Sequence, residues 1–188
     1  MSAKRFNHTS VLNHEKRSLI LLSFRLFSSH ALKIFFTYDE FFLEKTFITV
    51  GFVFHCLSSA YLVLKRKKRL VTAGPYRLVR HPQYLGTILF ILGFTSLSHW
   101  ILTYTYGIGF LTHQQTVGVW LMELFVYVFL ACVEESYLLK EFSEAFKEYR
   151  NRTPFLIPLV KTDNNGLDVI ASILIPAFLL WIILLLEP

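Results

Sequence analysis

Apolar residues run through this chain in blocks of membrane-crossing length. A bilayer core about 30 Å thick needs about 20 largely apolar residues in a helix. Four stretches meet that requirement: 46–64, 84 to about 104, 117–133 and 167–186. A fifth, 18–36, carries Arg25, Ser29 and Lys33 at i, i+4 and i+8, a single polar stripe. It either crosses with that stripe against other helices or lies flat in the interface. Beyond residue 97 the apolar run loosens around Ser98, His99 and Trp100, and we expect an irregular return near the far surface there. The pattern predicts an all-α, multi-span transmembrane helical bundle of about five crossings, one integral-membrane domain over residues 1–188.

Charge placement orients the bundle, because Lys and Arg in short loops mark the cytoplasmic side. The N-terminal arm holds Lys4, Arg5, Lys16 and Arg17, whereas 37–45 sets Asp39, Glu40 and Glu44 against Lys45. Residues 65–80 hold seven basic groups, 105–116 none, 134–165 five, and the C-terminal tail none. This alternation favours five crossings with a cytoplasmic N-terminus. The expected host is the plasma membrane in a prokaryote or the endoplasmic reticulum in a eukaryote. It also explains the net charge of +6: Lys65 to Arg69 sits where a span meets the cytoplasm and reads as a topology signal and an anionic-lipid contact, not a nucleic-acid site. With 54% hydrophobic and 17% charged residues, against about 25% charged in a soluble domain, a soluble globule is excluded. Cys56 and Cys132 both fall inside spans and read as packing residues, and no metal-ligand or disulfide spacing is present.

Two polar segments flank consecutive crossings on the cytoplasmic side. In Leu70–Gly86, Gly74-Pro75 forms a turn, and Pro82 suits the first turn of a helix, where its missing N–H is harmless. Arg80 and His81 then sit at a helix N-terminus, which favours an anionic group such as a carboxylate. In the second segment Glu134 and Glu135 abut an apolar run, a costly placement unless they are paired or solvated. Leu138, Phe142, Ala145, Phe146 and Tyr149 follow at helical spacing, predicting an amphipathic helix over 136–150 on the membrane surface or over a pocket. If Arg80, His81 and Tyr84 converge with Glu134 and Glu135, the paired charges suit a ligand bearing both a carboxylate and an ammonium. A cationic ligand with hydroxyl groups suits them as well. Glu123 lies inside a span, and an intramembrane acid is a functional candidate, here for lining an acceptor cavity. His55 reads as a residue bridging helices.

The run Leu70-Val71-Thr72-x-Gly74-x-Tyr76-x-x-x-Arg80-His81-Pro82-x-Tyr84-x-Gly86 resembles the first signature of the membrane methyltransferases related to isoprenylcysteine carboxyl methyltransferase and phospholipid N-methyltransferases. Glu134-Glu135-x-x-Leu138-x-x-x-Phe142, with Phe146, Tyr149, Pro154 and Ile157-Pro158, resembles the second. The resemblance covers roughly residues 60–160, the expected methyltransferase-like core. It implies a helical membrane enzyme that binds S-adenosylmethionine in a cytoplasmic-side pocket. By that resemblance Leu70, Val71 and Tyr76 line the cofactor site. His81, Pro82 and Tyr84 hold its methionine or ribose portion, and Glu134 anchors a polar group. Arg80 and Glu135 either touch the cofactor or brace the site, and His81 or Glu135 serves as base where an acceptor needs deprotonation. Gly107-Ile-Gly109 lacks the βαβ context of a Rossmann site.

Departures from the pattern matter. The family often has Gly where Ser143 stands, Tyr at Phe146 and His at Lys68. Isoprenylcysteine carboxyl methyltransferases place an Arg one turn before the paired acids, where this chain has Leu130. An apolar side chain cannot supply the charge-assisted contact that recognises a carboxylate. The expected reaction is methyl transfer from S-adenosylmethionine to a lipophilic acceptor, an isoprenylcysteine or a related lipid, thiol or amine. The alternatives are an inactive membrane interaction protein of the same fold and a small transporter component.

Overall fold

The computed structural model describes residues 41–65, 70–104 and 111–186. The chain divides into two compact units, Met1–Phe42 and Leu43–Pro188, and the first lies almost wholly outside the described residues, as does the 18–36 stretch. Four helices carry the second unit: α1 (Phe42–Lys65), α2 (Pro82–Tyr104), α3 (His113–Arg152) and α4 (Asn165–Leu186). No strand occurs among the described residues. All four helices are long and apolar enough to cross a bilayer, and the chain is an integral membrane protein.

The packing face of each helix is set by its sequence spacing. Leu85, Ile88 and Leu92 on α2 meet Trp120, Leu124, Val128 and Ala131 on α3, and Leu180 and Ile183 on α4 complete the buried cluster. These positions recur at steps of three and four, one face of a helix. The opposite faces are apolar and exposed, as at Met122, Phe125 and Phe129 of α3 and Phe178, Trp181 and Leu185 of α4. Apolar surface on both sides of a helix is what a lipid-facing bundle requires. Cys132 packs against the cluster, whereas Cys56 lies on the exposed side of α1, so only one of the two thiols is the packing residue expected.

Helix α1 approaches α2 through glycine. A Cβ added at Gly86 would lie 2.5 Å from the backbone nitrogen of His55, so the two backbones are in direct contact, as small residues allow between membrane helices. Beside this contact the His55 imidazole Nδ1 lies 2.9 Å from Thr87 Oγ1, linking the helices. At the other end of α1, buried Glu44 accepts a hydrogen bond from Ser96 at 2.8 Å.

Two elements differ from expectation. The irregular return at residue 98 is helical, and α2 continues through Tyr104. The amphipathic stretch expected at 136–150 is helical but divided: two helices meet at a kink at Ser143, so its first part continues the span and its last part runs on to Arg152. Thr112 starts α3 with a reciprocal cap: its Oγ1 accepts from Gln115 N–H, and Gln115 Oε1 accepts from Thr112 N–H. At the bend Ser143 has φ 38° and ψ −108°, a region that disfavours any residue with a Cβ. This gives a physical reason for glycine at that position. Ser143→Gly should therefore raise stability by about 1 kcal/mol, read as a rise of about 2–4 °C in the thermal midpoint in detergent. An unchanged or lower midpoint would show that the bend stores no strain.

Candidate functional site

The segment 70–81 joins α1 to α2 at the end where α4 begins and where α3 carries its paired acids. Gly74, at φ 65°, opens a short 3-10 turn over Gly74–Arg77, and a Cβ there would meet the ring of Tyr61. The turn buries Tyr76, whose backbone carbonyl accepts from the Tyr149 hydroxyl at 2.7 Å. Its own hydroxyl donates to Gln83 Oε1 at 3.0 Å. Val79 is fully buried beneath it. The Arg80 N–H donates to the Pro154 carbonyl at 2.9 Å, which fixes the segment against the chain leaving α3.

Arg80 and His81 are then driven inward rather than left at the surface. The Arg80 guanidinium, 1% exposed, lies 3.0 Å from Glu135 and 3.5 Å from Asp168, over the Phe155 ring at 5.2 Å. His81 Nε2 is 3.3 Å from Glu135, and Nδ1 is 3.5 Å from Glu134. Its ring stacks on Tyr84 and meets the edge of Phe155. Asp168 is held in turn by Lys161 and by the backbone and hydroxyl of Thr162. Three basic side chains (Arg80, His81 and Lys161) and three carboxylates from four segments thus form one network, which is how buried charges are made tolerable.

The network sets the titration of its members. Burial lowers the His81 pKa, but the Glu134 and Glu135 carboxylates more than offset it and hold the imidazole above its ordinary value, favouring the protonated ring. Burial also lowers Arg80, against the opposite pull of Glu135 and Asp168. It raises the Tyr76 phenol, with Glu134 adding to the effect, so Tyr76 acts as a hydrogen-bonding group and not as a phenolate.

Two chambers open beside this network. The first, about 370 Å³, is lined by Leu62, Leu70, Val71, Tyr76, Arg80, Glu134, Leu138, Glu141, Phe142 and Tyr149. The second, about 480 Å³, is lined by Leu62, Gln83, Tyr84, Leu130, Val133, Glu134, Tyr137, Leu138 and Glu141. Both lie in the size range of small-molecule sites.

Of the residues expected at a cofactor, Leu70, Val71, Tyr76, Arg80 and Glu134 share the first chamber. Tyr84 lines the second instead. His81 and Pro82 are buried and line neither chamber, and Glu135 faces the Arg80–His81 pair. Glu123 lines neither chamber: eleven residues before Glu134 on α3, it lies about 16 Å away along the helix. Lys68 and Gly107-Ile-Gly109 fall outside the described residues. Reading by signature alone misses Asp168 and Phe155. Asp168 carried a usable signal, an acid at the mouth of an apolar run, the same pattern that marks Glu134 and Glu135. No cluster of His, Cys, Asp and Glu able to hold a metal ion occurs among the described residues.

Comparison with known proteins bears on the same segment. The model of the isoprenylcysteine carboxyl methyltransferase (ICMT) family matches residues 33–116, a stretch that contains Leu70–Gly86 and ends before Glu134. The cobalt-zinc-cadmium resistance protein CzcN of Cupriavidus metallidurans is 33% identical over 100 residues, 52% of this chain and 39% of that protein. The protein-S-isoprenylcysteine O-methyltransferase of Schizosaccharomyces pombe is 29% identical over 109 residues, 55% of this chain and 40% of the relative. The nickel-cobalt-cadmium resistance protein NccN of Alcaligenes xylosoxydans xylosoxydans is 29% identical over 117 residues, 62% and 47% of the two chains. The chain thus spans less than half the length of these relatives, and no solved structure matches it. Over residues 33–116 the chain is similar to the isoprenylcysteine carboxyl methyltransferase family.

Proposed function

We propose that the chain is a membrane methyltransferase that takes its methyl group from S-adenosylmethionine and delivers it to a lipophilic acceptor. The observation that carries this reading is the first chamber. There a guanidinium, two carboxylates, two phenols and an apolar wall meet from three segments of the chain. Arg80 Nε is buried without a hydrogen-bond acceptor among the described residues, while Nη2 faces Asp168 at 3.5 Å, so Nε is the donor left for a ligand carboxylate. Glu134 and Glu141 suit an ammonium or ribose hydroxyls, and Leu62, Leu138 and Phe142 suit a flat heterocycle.

S-adenosylmethionine supplies an electrophilic methyl group on a sulfonium. The residues of the chain need only align donor and acceptor and keep water out, and no protein nucleophile is required. On this reading Arg80 and Glu134 bind, Tyr76 and Val71 shape the wall, and His81 and Glu135 hold Arg80 and Glu134 in position. His81, at 1% exposure, is a positioning residue here and not the base. Charge alternation supports a cytoplasmic face for the chambers, the side from which a soluble cofactor enters on this reading. The two relatives named for metal resistance favour a second reading, in which the same fold serves metal tolerance. Growth of the host without this chain on cobalt, zinc and cadmium tests that role.

Equilibrium binding of tritiated S-adenosylmethionine to the purified chain in detergent tests the first reading. Saturable binding is expected, and Glu134→Gln should weaken it about tenfold or more, the loss of one charge-assisted contact, with the thermal midpoint retained. Absence of saturable binding, or no response to Glu134→Gln and Val71→Trp together, would remove the cofactor from this chamber.

A further inference from the structure

The Arg80 guanidinium is a rigid plane, so its direction is fixed once two of its corners and one face are held. Nη1 faces both Glu135 oxygens, at 3.0 and 3.2 Å, and the Phe155 ring covers one face at 5.2 Å. Over a ring face, contact at one corner leaves the plane free to turn about that corner. Asp168 supplies the second corner, 3.5 Å from Nη2. Nε is then left without an acceptor among the described residues, where Arg80 lines the first chamber. Asp168 itself lines neither chamber, so it acts on a bound molecule through Arg80.

Asp168 is held more firmly than its contact with Arg80 requires. Its Oδ1 accepts from the Thr162 N–H at 2.7 Å and from the Thr162 hydroxyl at 2.8 Å, and Oδ2 accepts from Lys161 at 3.1 Å. It stands in the first turn of α4, 1% exposed, and its backbone carbonyl accepts from the Ser172 hydroxyl at 2.8 Å. The Thr162 and Lys161 donors satisfy the carboxylate without Arg80, whose contact is longer than any of theirs. The acid is thus a fixed reference point, and the guanidinium is the group that takes its direction from it. We infer that Asp168 is a positioning residue for ligand binding: by holding Nη2 it aims Nε at the carboxylate of a molecule in the first chamber, so recognition there depends on the seating of α4. The inference rests on the methyltransferase reading above, in which that molecule is S-adenosylmethionine.

Equilibrium binding to the full chain in detergent tests this with two ligands, S-adenosylmethionine and its decarboxylated analogue, which keeps the sulfonium and the ammonium. The parent chain should bind the form with the carboxylate about tenfold or more tightly, the worth of one charge-assisted contact. Asp168→Asn should bring the two affinities to within about threefold, by weakening S-adenosylmethionine and leaving the analogue unchanged. Adding Lys161→Gln to it cancels the change in net charge, and the two affinities should stay as close. Thr162→Val keeps every charge and removes one donor from Asp168. It serves if Asp168→Asn does not fold, and should narrow the difference about two- to threefold. An unchanged difference overturns the inference, and so does equal weakening of both ligands, which would show that Asp168 only braces the fold. A difference restored in the double variant overturns it too, because net charge and not direction is then at work. A parent chain that binds both ligands equally has the same force. In each of these cases saturable binding of S-adenosylmethionine leaves the methyltransferase reading standing, whereas its absence from the parent chain ends both.

Discussion

Arg80→Ala is expected to destabilise the detergent-solubilised chain by about 3–5 kcal/mol, the cost of breaking a buried ion pair from one side. The guanidinium joins three parts of the fold at once: Glu135 on α3, Asp168 on α4 and the Phe155 ring between them. The two carboxylates do not lose equally. Asp168 keeps Lys161 and the two Thr162 donors, so it stays compensated. Among the described residues Glu135 keeps only its 3.3 Å contact with His81, and the deficit falls on that pair. Arg80→Met separates charge from volume, since it fills the space over Phe155 but supplies no donor, and it should lose nearly as much. Arg80→Lys keeps the charge on a single point and cannot reach both acids with a fork, so it should lie between. In a chain of this length the alanine variant should melt about 6–20 °C lower. A fall below about 2 °C would mean that the network is solvated and contributes little.

The helices were legible because the bilayer leaves few choices. Runs such as Ile173–Leu186 admit one structure in hydrocarbon, since every backbone donor must find its acceptor within the segment. The positions of Arg80, His81, Glu134 and Glu135 were legible for a related reason, as charges at the mouth of apolar runs require partners, and here they are one another's. Less could be read where neighbours decide. His81 sits at a helix N-terminus in the sequence, which points to a ligand-facing role, but Phe155 and Tyr84 enclose it and turn it into a strut. Nothing local to residues 136–150 distinguishes a separate surface helix from the continuation of a span. That difference is settled by one strained residue, Ser143. Asp168 was hidden by distance, being 88 positions from Arg80 in the chain, and only the packing of α4 brings the two together.

The tight seam between α1 and α2 carries the second large effect. Gly86→Ala adds one methyl group, and in an open helix that change would stabilise by about 1 kcal/mol. Here the added carbon would lie 2.5 Å from His55 N, 2.8 Å from His55 Cα and 2.9 Å from Gly51 O. All three are backbone atoms, so no side-chain rotation relieves the clash and the helices must move apart. Overpacking of this kind costs about 1–3 kcal/mol, and separation also strains the His55–Thr87 bond, worth about 1 kcal/mol. After the propensity gain is offset, a net loss of about 1–3 kcal/mol is expected, with a thermal midpoint about 2–12 °C lower. The damage should reach the chambers as well, because Leu62 on α1 lines both, so ligand affinity should fall although Gly86 touches neither. Gly118→Ala on α3 is the matched control: nothing lies within 4 Å of its Cβ position, and it should be neutral or slightly stabilising. If the two alanine variants melt together, α1 is not seated on α2 through this glycine and the wall it provides to the chambers has another origin.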